Sequence, residues 1–120
     1  SYNIFTVASM GAHPDLAVLD GVVGADGNGP WNADPVEHGV AIASNDCVAA
    51  DRLATELMGV DYDNLPYIQW CAQAGIGRDD LSDVDYIGQD YRPHIKKYRL
   101  NSRHELQTKW IRDLNEKLKK

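Results

Sequence analysis

The stretch Asp20-Gly-Val-Val-Gly-Ala-Asp-Gly-Asn-Gly-Pro30 decides how this chain is read. It follows Leu16–Leu19, an apolar run that reads as a buried strand. Gly21, Gly24, Gly27 and Gly29 leave a backbone that a ligand can approach closely. Asp20, Asp26 and Asn28 supply polar groups among them. The stretch is therefore expected to be a ligand-binding loop. It continues through Trp31 to Pro35 without an evident element, a connection of about 15 residues. Loops of that length in compact domains tend to be functional or disordered. Trp31 is expected to order it by packing.

Working outward, Gly39-Val-Ala-Ile-Ala-Ser44 reads as a second short strand, apolar on both faces. Ser44, Asn45 and Asp46 can each cap the helix that follows. Ala50, Leu53, Ala54 and Leu57 repeat at helical spacing, and Gly59 closes the helix. Upstream, residues 2–10 lean toward a helix ended by Gly11, and His13-Pro14-Asp15 reads as a turn. Downstream, Pro66 opens a helix that runs to about Ala74. Val84–Ile87 and Ile95–Leu100 read as strands, the second at an edge because of its lysines. Ser102 and Glu105 form a capping box for a helix over 102–119, with Leu106, Trp110, Leu114 and Leu118 as an apolar seam. Packing of that seam on its own domain is the plainer expectation, and packing on a partner chain the other. Lys117, Lys119 and Lys120 suit the negative end of the helix dipole.

These elements predict the α/β class. The expected architecture is a small, mostly parallel or mixed sheet with helices 46–58 and 66–74 packed on it, plus the C-terminal helix. Residues 1–120 form a single domain or a fragment of one. If the two strands are parallel neighbours, their ends open on one side. Asp20, Gly24, Asp26, Gly27, Asn28, Gly29, Asp46 and Asp51 are then expected to line one ligand-binding cleft.

Composition narrows the chemistry. Formal net charge is −6, which disfavours nucleic acid and anionic membranes as partners. No apolar run reaches the roughly 20 residues of a membrane span. No secretory signal is visible, and free thiols fit a reducing compartment, so a cytoplasmic location is expected. Cys47 and Cys71 are too few for an iron–sulfur cluster, so none is expected on this chain alone. The glycine spacing is not the G-x-G-x-x-G of dinucleotide folds, and no Walker lysine follows it. Asp26-Gly-Asn28 starts like a calcium loop but loses the pattern at Pro30. A looser cation site from Asp20, Asp26, Asp46 and Asp51 stays open, although no defined metal set emerges. His38 is a weak acid–base candidate against a plain surface role. Cys47 lies where a helix start stabilises a thiolate, and the neighbouring Asp46 opposes it.

Taken together, Asp20–Pro30, Gly39–Asp46, Val48–Asp51, Leu57-Met-Gly59, Pro66-Tyr67, Ala74–Gly77 and Val84–Gly88 resemble the DUF362 family over about residues 14–88. That family is a domain of unknown function, often joined to ferredoxin-like modules with cysteine-rich cluster motifs. The resemblance implies a redox-linked setting and a chain that is the C-terminal part of a longer protein. Cys47 stands where a proline is expected and Asp26 where glutamate is common. The expected function is a ligand- or cofactor-binding domain of a redox-linked enzyme. The alternatives are a binding or assembly module without chemistry, and a metal-assisted hydrolase or transferase using the aspartates. Expected partners are a small-molecule ligand, with a protein partner or the remainder of a longer chain as the other possibility.

Overall fold

The computed structural model describes residues 1–118, without the side chains of Gln107, Arg112 and residues 114–118. The Leu114 and Leu118 part of the apolar seam and the terminal lysines lie outside the described side chains. The order is helix α1 (Tyr2–Ser9), strands β1 (Ala17–Asn28) and β2 (Asn32–Ser44), then helices α2 (Cys47–Leu57), α3 (Pro66–Gln73) and α4 (His104–Leu118). The chain is thus mixed α/β.

The sheet corrects the expected arrangement. β1 and β2 pair antiparallel, from Ala17 opposite Ser44 to Asn28 opposite Asn32. The glycine-rich stretch is therefore not a loop but the outer half of a long hairpin. Its glycines and polar residues lower strand propensity, but pairing outweighs propensity. Two further physical causes keep glycine there. A Cβ on Gly24 would sit 2.9 Å from two carbons of the Tyr98 ring, which lies against the strand. Gly27 holds φ +78°, a region that suits glycine. On β2, the register shifts beside Gly39, whose φ is +75°. That bulge places His38 in the interior, with 8% of its surface exposed.

The helices follow their caps. Asp46 accepts the Val48 and Ala49 amides at 3.0 and 2.9 Å, so α2 starts where the sequence places it. Gly11 and Gly59 close α1 and α2 with positive φ. Val48, Ile68 and Cys71 form the buried cluster where α2 meets α3, and Phe5, Ala8 and Tyr67 pack against it. α4 begins differently from the expected capping box. Asn101, not Ser102, accepts the Arg103 amide at 2.9 Å.

The two remaining predicted strands are not strands. Residues 84–87 are irregular and follow a 3₁₀ turn at Leu81–Asp83. Residues 95–100 are extended but form no ladder. They run as a strap from α2 to the hairpin tip: Lys96 and Tyr98 donate to the Leu57 and Met58 carbonyls at 2.9 Å, and Gly27 donates to the Arg99 carbonyl at 2.9 Å. The helix end and the strand edge each use part of the strap's polar backbone.

Candidate functional site

The expected site residues fall into separate places. Asp20 is exposed on the hairpin and accepts the Val22 amide at 3.0 Å. Asp26 lies about six strand residues further along, roughly 20 Å. It is 8% exposed and engaged by the strap: the Arg99 backbone amide donates to one oxygen and the Arg99 guanidinium to the other at 2.6 Å. Arg99 also pairs with Asp34 on the opposite strand. The hydrogen bonds from Arg99 hold the Asp26 carboxyl below its ordinary range, against a smaller effect of burial. Asn28 accepts the Ser102 amide at 2.9 Å, tying the strap to the hairpin tip. Gly24 and Gly27 make room for this strap, and Gly29 lies in the exposed turn. Trp31, expected to anchor the loop, is 92% exposed instead.

His38 belongs to the same fastening. One ring nitrogen is 2.7 Å from the His94 carbonyl and the other 2.9 Å from the Tyr98 hydroxyl. A carbonyl only accepts, so Nε2 carries the proton, and in the neutral ring Nδ1 accepts from Tyr98. Both nitrogens are thus occupied by the strap.

At the other end of the hairpin lies a cleft of about 630 Å³. α1, the start of β1, α2 and α3 form its walls, through residues such as Val7, Ala12, Leu19, Val48 and Ile68. Asp51 lines it, whereas none of residues 20–29 does. The antiparallel pairing explains the separation: the strand start, not the glycine-rich part, faces α2. The cleft is mostly apolar; its polar lining comprises Asn3, His13 and a hydrogen-bonded pair in which the Tyr67 hydroxyl donates to Asp51 at 2.8 Å. Burial and then the Asp51 charge push the Tyr67 hydroxyl far above its usual range, so it stays a proton donor. Asp51 retains acceptor capacity on its carboxylate.

Cys47 and Cys71 face the same cleft as free thiols. Burial, followed by the Asp46 charge, raises the Cys47 thiol; burial, then Cys47 and Asp51, raises Cys71. The helix start thus does not produce a thiolate at Cys47. Asp46 stands beside the cleft rather than in it. Besides capping α2 it accepts the Arg78 amide at 3.0 Å, so one carboxylate joins the helix start to the 75–78 loop. Gly77 permits this, since a Cβ there would lie 2.7 Å from that of Val48.

Tyr67 and Arg99 were missed in the sequence as site-forming residues. Tyr67 had a signal: it sits one position after the proline that opens α3, on a helix expected to pack on α2. Arg99 had none, because its partners are 65 and 73 residues away. Among the described residues no group of three or more His, Cys, Asp or Glu side chains is placed to hold a metal ion. No helix among them is long and apolar enough to cross a membrane.

Comparison with known proteins adds one family and one relative. A thylakoid-associated protein of Synechocystis sp. is 42% identical over 53 residues, which are 44% of this chain. The same stretch is 16% of that relative's length, so this chain spans only a small part of it. No solved structure matches. Residues 2–56 match the DUF362 family, described as a domain of unknown function. The match takes in α1 and stops within α2, so the motifs from Leu57 to Gly88 lie beyond it. Its position in the N-terminal half conflicts with reading the chain as the C-terminal part of such a protein. What the comparison supports is a similarity of α1, the hairpin and most of α2 to this family of unknown function.

Proposed function

We propose that this chain is a ligand-binding module whose site is the cleft between α1, β1, α2 and α3. The observation that carries the reading is a mostly apolar cleft of about 630 Å³ whose wall carries the hydrogen-bonded pair Asp51 and Tyr67, with Asn3 and His13 as its other polar lining. Cavities of this size and lining suit small molecules. Asp51 accepts and Tyr67 already spends its proton on it. The favoured ligand therefore has an apolar body and a hydroxyl or amine donor. A redox-linked role follows by family analogy alone. A reducing, cytoplasmic setting is proposed with it, in keeping with two free thiols.

The test is equilibrium binding of 2-naphthol, followed by its own fluorescence. Binding by the native chain, lost in Ala12→Trp and weakened in Asp51→Asn, supports the reading. Ala12 is exposed and lines the cleft, so the large side chain fills the space without entering the core. Binding unchanged in Ala12→Trp refutes it.

A second reading, a module for assembly with further polypeptide, is favoured by a different observation. Tyr2, Ile4 and Val7 of α1, Met10 just after it, and Val18 and Val22 of β1 are all more than half exposed. Exposed apolar groups in such number mark interaction surfaces. On this reading another protein segment covers the cleft, and 2-naphthol does not bind once that segment is in place.

A further inference from the structure

The net charge of −6 conceals a division of the chain. Residues 92–120 hold ten of its 12 Lys and Arg residues and three of its 18 Asp and Glu residues, a formal charge of +7. Residues 1–91 therefore carry −13. The basic part comprises the strap and α4. Two of the carboxylates nearest it, Asp26 and Asp34, are already engaged by Arg99. Lys97, Arg103 and Lys109 are exposed, as are Glu105 and Asp113 on the helix itself.

The described part of the α4 seam, Leu106 and Trp110, does not face the protein. Thr108 and Ile111 are 5% and 6% exposed and form the inner side. Leu106 and Trp110, one turn apart on the same side, are 75% and 49% exposed. The hydrogen bond from the Ser102 amide to Asn28 sets the start of α4 against the hairpin tip. Trp31 projects from that tip at 92% exposure. Around the hairpin tip the chain thus brings Trp31 and the start of α4, with its exposed Leu106 and Trp110, together with a segment of net positive formal charge.

We propose that this end docks on an anionic lipid bilayer, with α4 in the headgroup plane, Leu106 and Trp110 turned toward the acyl boundary and Trp31 entering beside them. Each component has a match there. Apolar seams with basic flanks bind at interfaces through buried area plus attraction to anionic lipid. Indoles settle at headgroup depth, with the ring in an apolar zone and the N–H in a wet one. The acidic remainder opposes docking in any other orientation, because charge acts within about 10 Å at ordinary salt. A nucleic acid would satisfy the lysines and arginines but leave Leu106 without a partner. A second copy would bring two basic helices together.

The test uses the full chain in flotation with vesicles. One set is phosphatidylcholine with about one-third phosphatidylserine, the other phosphatidylcholine alone. The account expects flotation with the first set only, loss at about 0.5 M salt and a blue shift of tryptophan emission. Lys109→Gln weakens partition about fivefold, the effect of one basic charge near the surface. Trp31→Ser weakens it as well; this turn position contributes little to packing, and circular dichroism checks the fold. Equal flotation with both vesicles overturns the proposal, as does full binding by Trp31→Ser. Binding to a single-stranded oligonucleotide but not to vesicles also overturns it. So does a lipid-free dimer that Trp110→Ser dissociates.

Discussion

Asp46 is the residue on which most local structure converges. Its carboxylate accepts three backbone amides: Val48 and Ala49 at the start of α2, and Arg78 from the loop after α3. Asp46→Ala removes all three. Loss of a helix N-cap costs about 1 kcal/mol in typical cases and up to about 2. The solvent-exposed hydrogen bond from the Arg78 amide adds about 1 kcal/mol, the typical net value of a hydrogen bond. The variant should therefore lose about 2–3 kcal/mol. With a urea dependence of roughly 2 kcal/mol per molar, the unfolding midpoint falls by about 1 M. Asp46→Asn separates the contributions: its amide oxygen still caps α2, but its NH₂ group cannot accept from Arg78. It should lose about 1 kcal/mol. Urea unfolding followed by circular dichroism measures both. A loss below about 0.5 kcal/mol for Asp46→Ala, or equal losses for the two variants, refutes the reasoning.

Three further outcomes are expected. The Asp26 carboxyl is held low by Arg99, so its contribution is present above the unfolded value, roughly pH 4, and disappears as pH falls through the lower folded value. The protection factors of the Arg99 and Gly27 amides, taken against intrinsic exchange at each pH, should therefore fall at low pH, whereas in Asp26→Asn they should be low already at neutral pH. Gly24→Ala should displace the Tyr98 ring and cost about 1–3 kcal/mol by overpacking, read as a lower melting temperature. Both cysteine thiols lie above their ordinary range, so a disulfide reagent such as dithionitrobenzoate should modify them more slowly in the folded chain than in urea at the same pH.

Which features were legible in the sequence follows from how local each signal is. Asp46 and the apolar stripe of α2 are local signals: Asp46 caps the helix as expected, and of the stripe Ala50 and Leu57 are buried while Leu53 and Ala54 are half-buried. Gly11, Gly59 and Pro66, whose backbone preferences are their own, were read correctly. The hairpin was not legible, because four glycines and three polar residues in eleven look like a loop. What makes Asp20–Asn28 a strand is pairing with β2 and, near the tip, a strap more than 65 residues away. The strands predicted at 84–87 and 95–100 failed for the complementary reason: β propensity was present but no ladder was available. For the candidate site, Asp51 and Cys47 drew notice from their place on α2, while Tyr67 and Cys71 line the same cleft only because α3 packs across. Asp26 and Asn28 attracted notice because polar residues between glycines suggest a ligand, yet their partners are Arg99 and Ser102.

The central claim is that ligand binding belongs to the cleft at the hairpin base. Chemical-shift mapping tests it most directly, with the amide spectrum of the ¹⁵N-labelled chain recorded as 2-naphthol is added. The account predicts saturable shifts at Cys47–Asp51, Tyr67–Cys71 and Ala12, with residues 20–29 unchanged. Shifts concentrated in residues 20–29, with the cleft amides unmoved, would contradict it.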